Sequence, residues 1–206
     1  MNDPSNKIRE VGQKKGDVLE RFTKLQRTVM PLSKRTIRKK KVEKFKTVQD
    51  LNRPPDRNDL VALCRELNRL QAKYIVIGGL AMNVLGLIRT TEDIDFLIEE
   101  SPQNQDKVKE ALRILPDKAI DELGQEDIKD FVVVRINDEI TVDLMTQACG
   151  FTYDRVRDLI RTKTFDDVVI PFAGRELMIK TKQTVREKDR IDLLYLESIQ
   201  DTDDGR

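Results

Sequence analysis

YIVIGGLAMNVLGLIRTTEDIDFLI, residues 74–98, divides into pieces that cannot all belong to one regular element. Tyr74 to Ile77 is a short apolar run that reads as a buried strand, and it stops at Gly78-Gly79. Leu80 to Leu87 reads as a short helix ending near Gly86. An Arg-Thr-Thr turn (Arg89 to Thr91) leads into a second strand, in which Ile94, Phe96 and Ile98 alternate with Asp93, Asp95 and Leu97. Residues two apart on a strand point the same way, so Asp93 and Asp95 project together. A tight glycine turn therefore stands close in sequence to an acidic strand face.

Working outward, Leu60, Leu63, Leu67 and Leu70 repeat at helical spacing with Cys64 on the same face, and Asn58 or Asp59 can cap that helix. Downstream, Ser101-Pro102 opens a helix that runs to about Leu115. Phe131 to Ile136 and Ile140 to Met145 are β-branched runs separated by Asn137-Asp138-Glu139, a hairpin pattern. Tyr153 to Arg161 is expected to be helical. Asp167 to Phe172 is expected to be an edge strand, because of Pro171. A single final helix is expected from about Arg175 or Leu177 to Ile199. The resulting order is that of a mixed α/β (α+β) body, a small mixed sheet flanked by helices.

Residues 1–55 differ in kind. Residues 1–50 carry 15 lysines and arginines against 6 acidic residues, a balance of +9, whereas the remainder balances at −8. Few large apolar side chains accompany that charge, so a flexible or helical basic arm is expected over 1–55, with the folded domain over 56–206. Its densest run holds Lys34, Arg35, Arg38, Lys39, Lys40 and Lys41. Such a run either stays solvated or neutralises nucleic-acid phosphates by releasing their counterions.

Composition excludes much else. Histidine is absent, which removes imidazole bases and most zinc sites. The two cysteines, Cys64 and Cys149, are far apart without metal-type spacing, which suits a reducing, cytoplasmic setting. No apolar run of about 18 residues offers a membrane span, and the first ten residues lack the pattern of a signal peptide. Chemistry is left to carboxylates, cationic side chains, hydroxyls and oxygen-seeking ions such as Mg²⁺. Val142-Asp143-Leu144 places a third carboxylate on a strand. If that strand neighbours the one holding Asp93 and Asp95, the three converge into the minimum set for two Mg²⁺ ions, about 3.5–4 Å apart in such sites. Gly78 and Gly79, lacking Cβ atoms, would let backbone approach a triphosphate. Neither a P-loop nor a GxGxxG motif is present.

An apolar residue before Gly-Gly, thirteen intervening residues, Asp-Ile-Asp and a later apolar-Asp-apolar strand together resemble the nucleotidyltransferase fold of the DNA polymerase β superfamily. Within it, the chain resembles minimal stand-alone prokaryotic members that include abortive-infection toxins. The resemblance spans about Tyr74 to Leu196. It implies phosphate binding at Gly78 and Gly79, with Arg89 and Thr91 in the nucleotide site. It also implies metal binding and catalysis by Asp93, Asp95 and Asp143. Lys182, with Lys180 as fallback, matches the family's C-terminal lysine, although this tract is one residue shorter than usual and lacks the customary glycine. Lys182, Arg186 and Asp189 would share one helical stripe.

The activity so implied is an Mg²⁺-dependent transfer of NMP from an NTP to an acceptor hydroxyl. The basic arm favours RNA or tRNA as acceptor, and an antitoxin partner is implied by the resemblance. Two other readings stay open: a non-catalytic nucleotide- or RNA-binding module, and a small-molecule (antibiotic) nucleotidyltransferase.

Overall fold

The computed structural model describes residues 8–12, 52–124, 127–184 and 186–199. Among them, seven strands form one mixed sheet: β1 (Ile8–Gly12), β2 (Tyr74–Ile77), β3 (Asp93–Ile98), β4 (Val133–Asn137), β5 (Thr141–Met145), β8 (Ile160–Phe165) and β9 (Val168–Ala173). Two further short strands, β6 (Gln147–Ala148) and β7 (Phe151–Thr152), make a separate small hairpin. The order across the large sheet is β1-β4-β5-β3-β2-β9-β8. The strand pair β3 and β5 is parallel, whereas β2–β3 and β4–β5 are antiparallel.

One face is closed by helices. Helix α1 (Arg57–Arg69) buries Leu60, Val61, Leu63, Cys64 and Leu67. It packs against β9 and against α3 (Pro102–Leu112), the third helix in the chain. The second helix, α2 (Gly78–Val84), follows β2 directly. Asn104 pins α3 to the sheet by bonding the Lys73 backbone through both ends of its amide and the Glu99 carbonyl at 2.9 Å. Ile94, Phe96 and Ile98 of β3, with Val134 and Ile136 of β4 and Val142 and Leu144 of β5, are inaccessible to solvent. Their in-between neighbours therefore emerge on the other face.

Several expectations need correction. The cap of α1 is Asp56, not Asn58 or Asp59. Its carboxylate accepts from the Asn58 and Asp59 amides, while the Asp59 side chain returns a bond to the Asp56 amide. Arg53 then grips Asp59 through two bonds of 2.6 and 2.7 Å. Tyr153–Leu159 is a 3₁₀ turn, and Ile160 and Arg161 already belong to strand β8. Strand β9 lies inside the sheet, with β8 at the edge. Its bridge to β2 is confined to Val76–Phe172, so few ladder bonds are there for Pro171 to interrupt.

The expected last helix is two helices, α5 (Arg175–Thr181) and α6 (Glu187–Ser198). A single-turn α4 (Asp127–Asp130) precedes them in the chain. Five residues of the expected arm, Ile8–Gly12, pair in parallel with β4 as an edge strand, anchored by buried Val11. The basic run from Lys34 to Lys41 lies outside the described residues. Among the described residues, no helix is long and apolar enough to cross a membrane.

Candidate active site

The register of β3 and β5 sets Asp95 beside Asp143, and Asp93 beside Thr141. Asp143 is buried, whereas Asp93 and Asp95 keep part of their surface open. Gly78 lies against Asp95: a Cβ there would fall 1.9 Å from Asp95 Oδ2, and the backbone φ of +67° is itself one that glycine adopts freely. A Cβ on Gly79 would fall 2.6 Å from Thr91 Oγ1. Thr91 in turn donates to the Asp93 carbonyl at 3.1 Å or its carboxylate at 3.2 Å. The two glycines thus bring the backbone of the β2–α2 junction against the acidic strand.

Burial first, then the charges of Asp93 and Asp143, push the Asp95 carboxyl up from 3.8 to about 7, with Lys182 and Arg135 opposing. Asp143 is also raised, by burial above all, against the pull of Arg135.

Arg135 is the residue that sequence reading missed. It stands opposite Asp143 in the β4–β5 hairpin. Its Nε donates to Asp143 Oδ1 at 2.8 Å and its Nη2 to Oδ2 at 2.6 Å, while Nη2 also reaches Asp93 Oδ2 at 3.1 Å. The third carboxylate is therefore held by a guanidinium fork. Among the described residues, no three acidic or sulfur side chains stand together as a metal-binding group. A lone charge within Phe131–Ile136, read through the hairpin register, was the available signal.

The other side of the site is built from the C-terminal helices. Lys182 ends α5 and is only 8% exposed. Its Nζ contacts Asp189 Oδ1 and Asp192 Oδ2, both at 2.9 Å. Asp192 also receives Arg89 Nη2 at 3.2 Å, and Arg89 Nε is buried without a hydrogen-bond partner. Burial opposes ionisation of Asp189, but hydrogen bonds from Thr184 and Lys182 hold it below its ordinary range. Tyr195 bonds the Leu85 carbonyl at 3.0 Å, fastening α6 to the loop after α2.

Lys182, Arg186 and Asp189 do not share a helical stripe, because the chain breaks between α5 and α6. Lys182 nevertheless meets Asp189 across that break. Lys180 points elsewhere, to Glu176 at 2.6 Å. Gly78, Gly79, Arg89, Thr91, Asp93, Asp95, Asp143 and Lys182 are thus gathered around one region of the sheet.

A family model described as "Nucleotidyl transferase AbiEii toxin, Type IV TA system" matches residues 61–178. The chain belongs to the AbiEii nucleotidyltransferase family. The match includes the glycine turn, all three strand carboxylates and Arg135; Lys182, Asp189 and Asp192 lie beyond it. Among solved structures, this AbiEii-family chain is similar to the lincosamide antibiotic adenylyltransferase LnuA in its lincomycin-bound crystal structure. The TM-score is 0.50 at 17% identity, covering 72% of this chain and 100% of that one. At that identity the likeness is one of fold. Among curated proteins, no sequence matches significantly. As a family member, the AbiEii-type chain is a nucleotidyltransferase.

Proposed function

We propose that this nucleotidyltransferase moves a nucleoside monophosphate from an NTP to an acceptor hydroxyl on RNA, such as a tRNA end: the hydroxyl oxygen loses its proton and bonds the α-phosphorus as the α–β anhydride breaks and pyrophosphate leaves. The observation that carries the reading is the pairing of Asp95 with Asp143 on adjacent parallel strands, with Gly78 pressed against Asp95. The glycine turn is the natural seat for the triphosphate, since side chains there would collide with Asp95 and Thr91. Arg89 and Lys182 flank it as cations, and the spare Arg89 Nε is a donor that a phosphate oxygen satisfies.

Hard carboxylate oxygens suit Mg²⁺, and a cluster that drives Asp95 to about 7 is one that a cation relieves. Asp93 and Asp95 would hold the ion, with Asp143 joining once its guanidinium partner moves. When bound, Mg²⁺ supplies charge stabilisation to the phosphoryl oxygens. Asp143, buried beside Asp95, is placed to orient the acceptor hydroxyl and take its proton. The basic tract of residues 34–41 supports an RNA acceptor by its charge. An antitoxin partner follows from the toxin–antitoxin character of the family.

The test incubates the full chain with each α-labelled NTP, Mg²⁺ and total RNA, with a lincosamide in a parallel reaction. Labelled RNA that disappears with Asp93→Asn supports the reading. Label on the antibiotic instead assigns the chain the activity named for LnuA, and no label on any acceptor makes it a binding module.

A further inference from the structure

Between α2 and β3 the chain runs for eight residues, Leu85 to Glu92, without helix or strand, and this loop delivers Arg89 and Thr91. Such a stretch has no ladder of its own, so contacts from elsewhere must offset the entropy of ordering it. Two of them come from α6. Asp192 and Tyr195 stand three residues apart on that helix, which makes them neighbours on its surface. The Tyr195 hydroxyl donates to the Leu85 carbonyl at 3.0 Å, where the loop begins. The Asp192 carboxylate accepts from Arg89 Nη2 at 3.2 Å. A third tie comes from α2, whose Asn83 side chain accepts from the Arg89 backbone amide at 2.9 Å. Gly86 lets the first tie form: a Cβ there would fall 2.5 Å from the Tyr195 hydroxyl, and φ is +103°. On the other side of the guanidinium, Nη1 lies 3.5 Å from where a Cβ on Gly79 would stand. Arg89 thus reaches from α6 to the glycine turn.

We infer that Tyr195 is a positioning residue for triphosphate binding: its hydroxyl, together with Asp192, fixes the loop so that the Arg89 guanidinium stays over the glycine turn. This rests on the reading of that turn as the triphosphate seat. An arginine on an unrestrained loop would lose backbone and rotamer freedom at the moment of binding, and that loss would come out of the affinity. Here α6 has ordered the loop beforehand. The hydroxyl bonds loop backbone, so it acts through Arg89 and takes no part in bond making. The helix is secured independently, because Leu196 is inaccessible to solvent and its carbonyl accepts from Arg175 Nε at 2.6 Å. Removing the hydroxyl therefore leaves α6 in place and frees only the loop. The helix that meets Lys182 through Asp189 also aims Arg89, so one element sets both cations that flank the seat.

Isothermal titration of inorganic tripolyphosphate into the full chain tests this without an acceptor, since that probe carries the phosphates of every NTP and no base. The proteins compared are wild type, Tyr195→Phe, Gly86→Ala, Arg89→Gln and the double variant Arg89→Gln with Tyr195→Phe. Tyr195→Phe is expected to bind about three- to tenfold more weakly than wild type, the worth of one hydrogen bond expressed as affinity. In the Arg89→Gln background the same change should alter affinity less than about twofold, because the residue it acts through is gone. With α-labelled NTP, KM should rise by the factor seen in binding while kcat holds within about twofold. Equal affinity of Tyr195→Phe and wild type overturns the inference, as does an undiminished loss in the Arg89→Gln background. A fall in kcat at constant KM, the mark of a merely structural role, overturns it too. Unchanged binding by Arg89→Gln, or none by wild type, removes instead the triphosphate reading and the inference with it. If circular dichroism shows Tyr195→Phe unfolded, Gly86→Ala, which displaces the same hydroxyl, decides: weaker than wild type supports, equal or tighter overturns.

Discussion

The two halves of the site treat their carboxylates in opposite ways. On the strands, Asp93, Asp95 and Asp143 are held in register by the sheet, and the Arg135 guanidinium pairs with Asp93 and Asp143. On the C-terminal side, Asp189 and Asp192 are met by Lys182 and Arg89, two charges against two. The consequence shows in the carboxyls: Asp95 is pushed up to about 7, mainly by burial, whereas Asp189 is held low despite burial. The difference teaches that charge is matched across the C-terminal half and unmatched across the strand half.

The sharpest way to break this contrast is to remove one strand carboxylate. Asp93→Asn or Asp143→Asn should lower transfer of label from α-labelled NTP by about 10³-fold or more, while far-ultraviolet circular dichroism stays unchanged. Wild-type turnover in either would end the catalytic assignment of this half. Gly78→Ala should act on the same half through the backbone. The new Cβ meets Asp95 and the φ is unfavourable, so activity should fall about 10²-fold and stability by about 1–3 kcal/mol in urea titrations.

For the balanced half the expected damage is to stability. Lys182→Met leaves two buried aspartates facing each other and should cost about 3 kcal/mol by urea unfolding, as broken buried pairs do. A cost near zero would mean that this network does not hold α5 to α6.

The smallest effect tests the sign of the imbalance. Asp95 has a native pKa above its unfolded value, so between about pH 4 and pH 7 the folded protein binds more protons than the unfolded chain. Stability therefore falls as pH rises through that window. Asp95→Asn, with chelator present, should remove this slope and be more stable than wild type at pH 8, with no difference at pH 4. A destabilised Asp95→Asn at pH 8 would contradict the under-neutralised reading.

Much of the strand half is legible in the residues themselves. Alternation in residues 93–98 and 140–145 fixes which side chains share a face, and the Asn137-Asp138-Glu139 turn fixes the hairpin. Asp138 secures that turn by accepting from the Asp117, Ala119 and Glu139 amides. Pairing between distant strands, by contrast, leaves no local mark. Arg135 looks like an interruption of an apolar run until register places it against Asp143, and Ile8–Gly12 has too little apolar content to announce a strand that β4 templates. The break between α5 and α6 carries neither proline nor glycine across residues 182–186. Tertiary contacts of Lys182, Thr184 and Asp189 replace helix continuity there, and local periodicity cannot register them. Pro171 suggests an edge by a rule that concerns ladder bonds, and the single bridge to β2 makes that rule inapplicable.

Strand β1 has one more consequence. It ends at Gly12, paired with Asn137, and the chain is next described at Asn52, whose amide reaches Asn137 at 3.5 Å or Thr141 at 3.3 Å. Arg53 then donates its backbone amide to the Glu139 carbonyl at 2.9 Å. Gly12 and Asn52, far apart in sequence, are therefore held by one hairpin at one corner of the molecule, beside the strand end that bears Asp93.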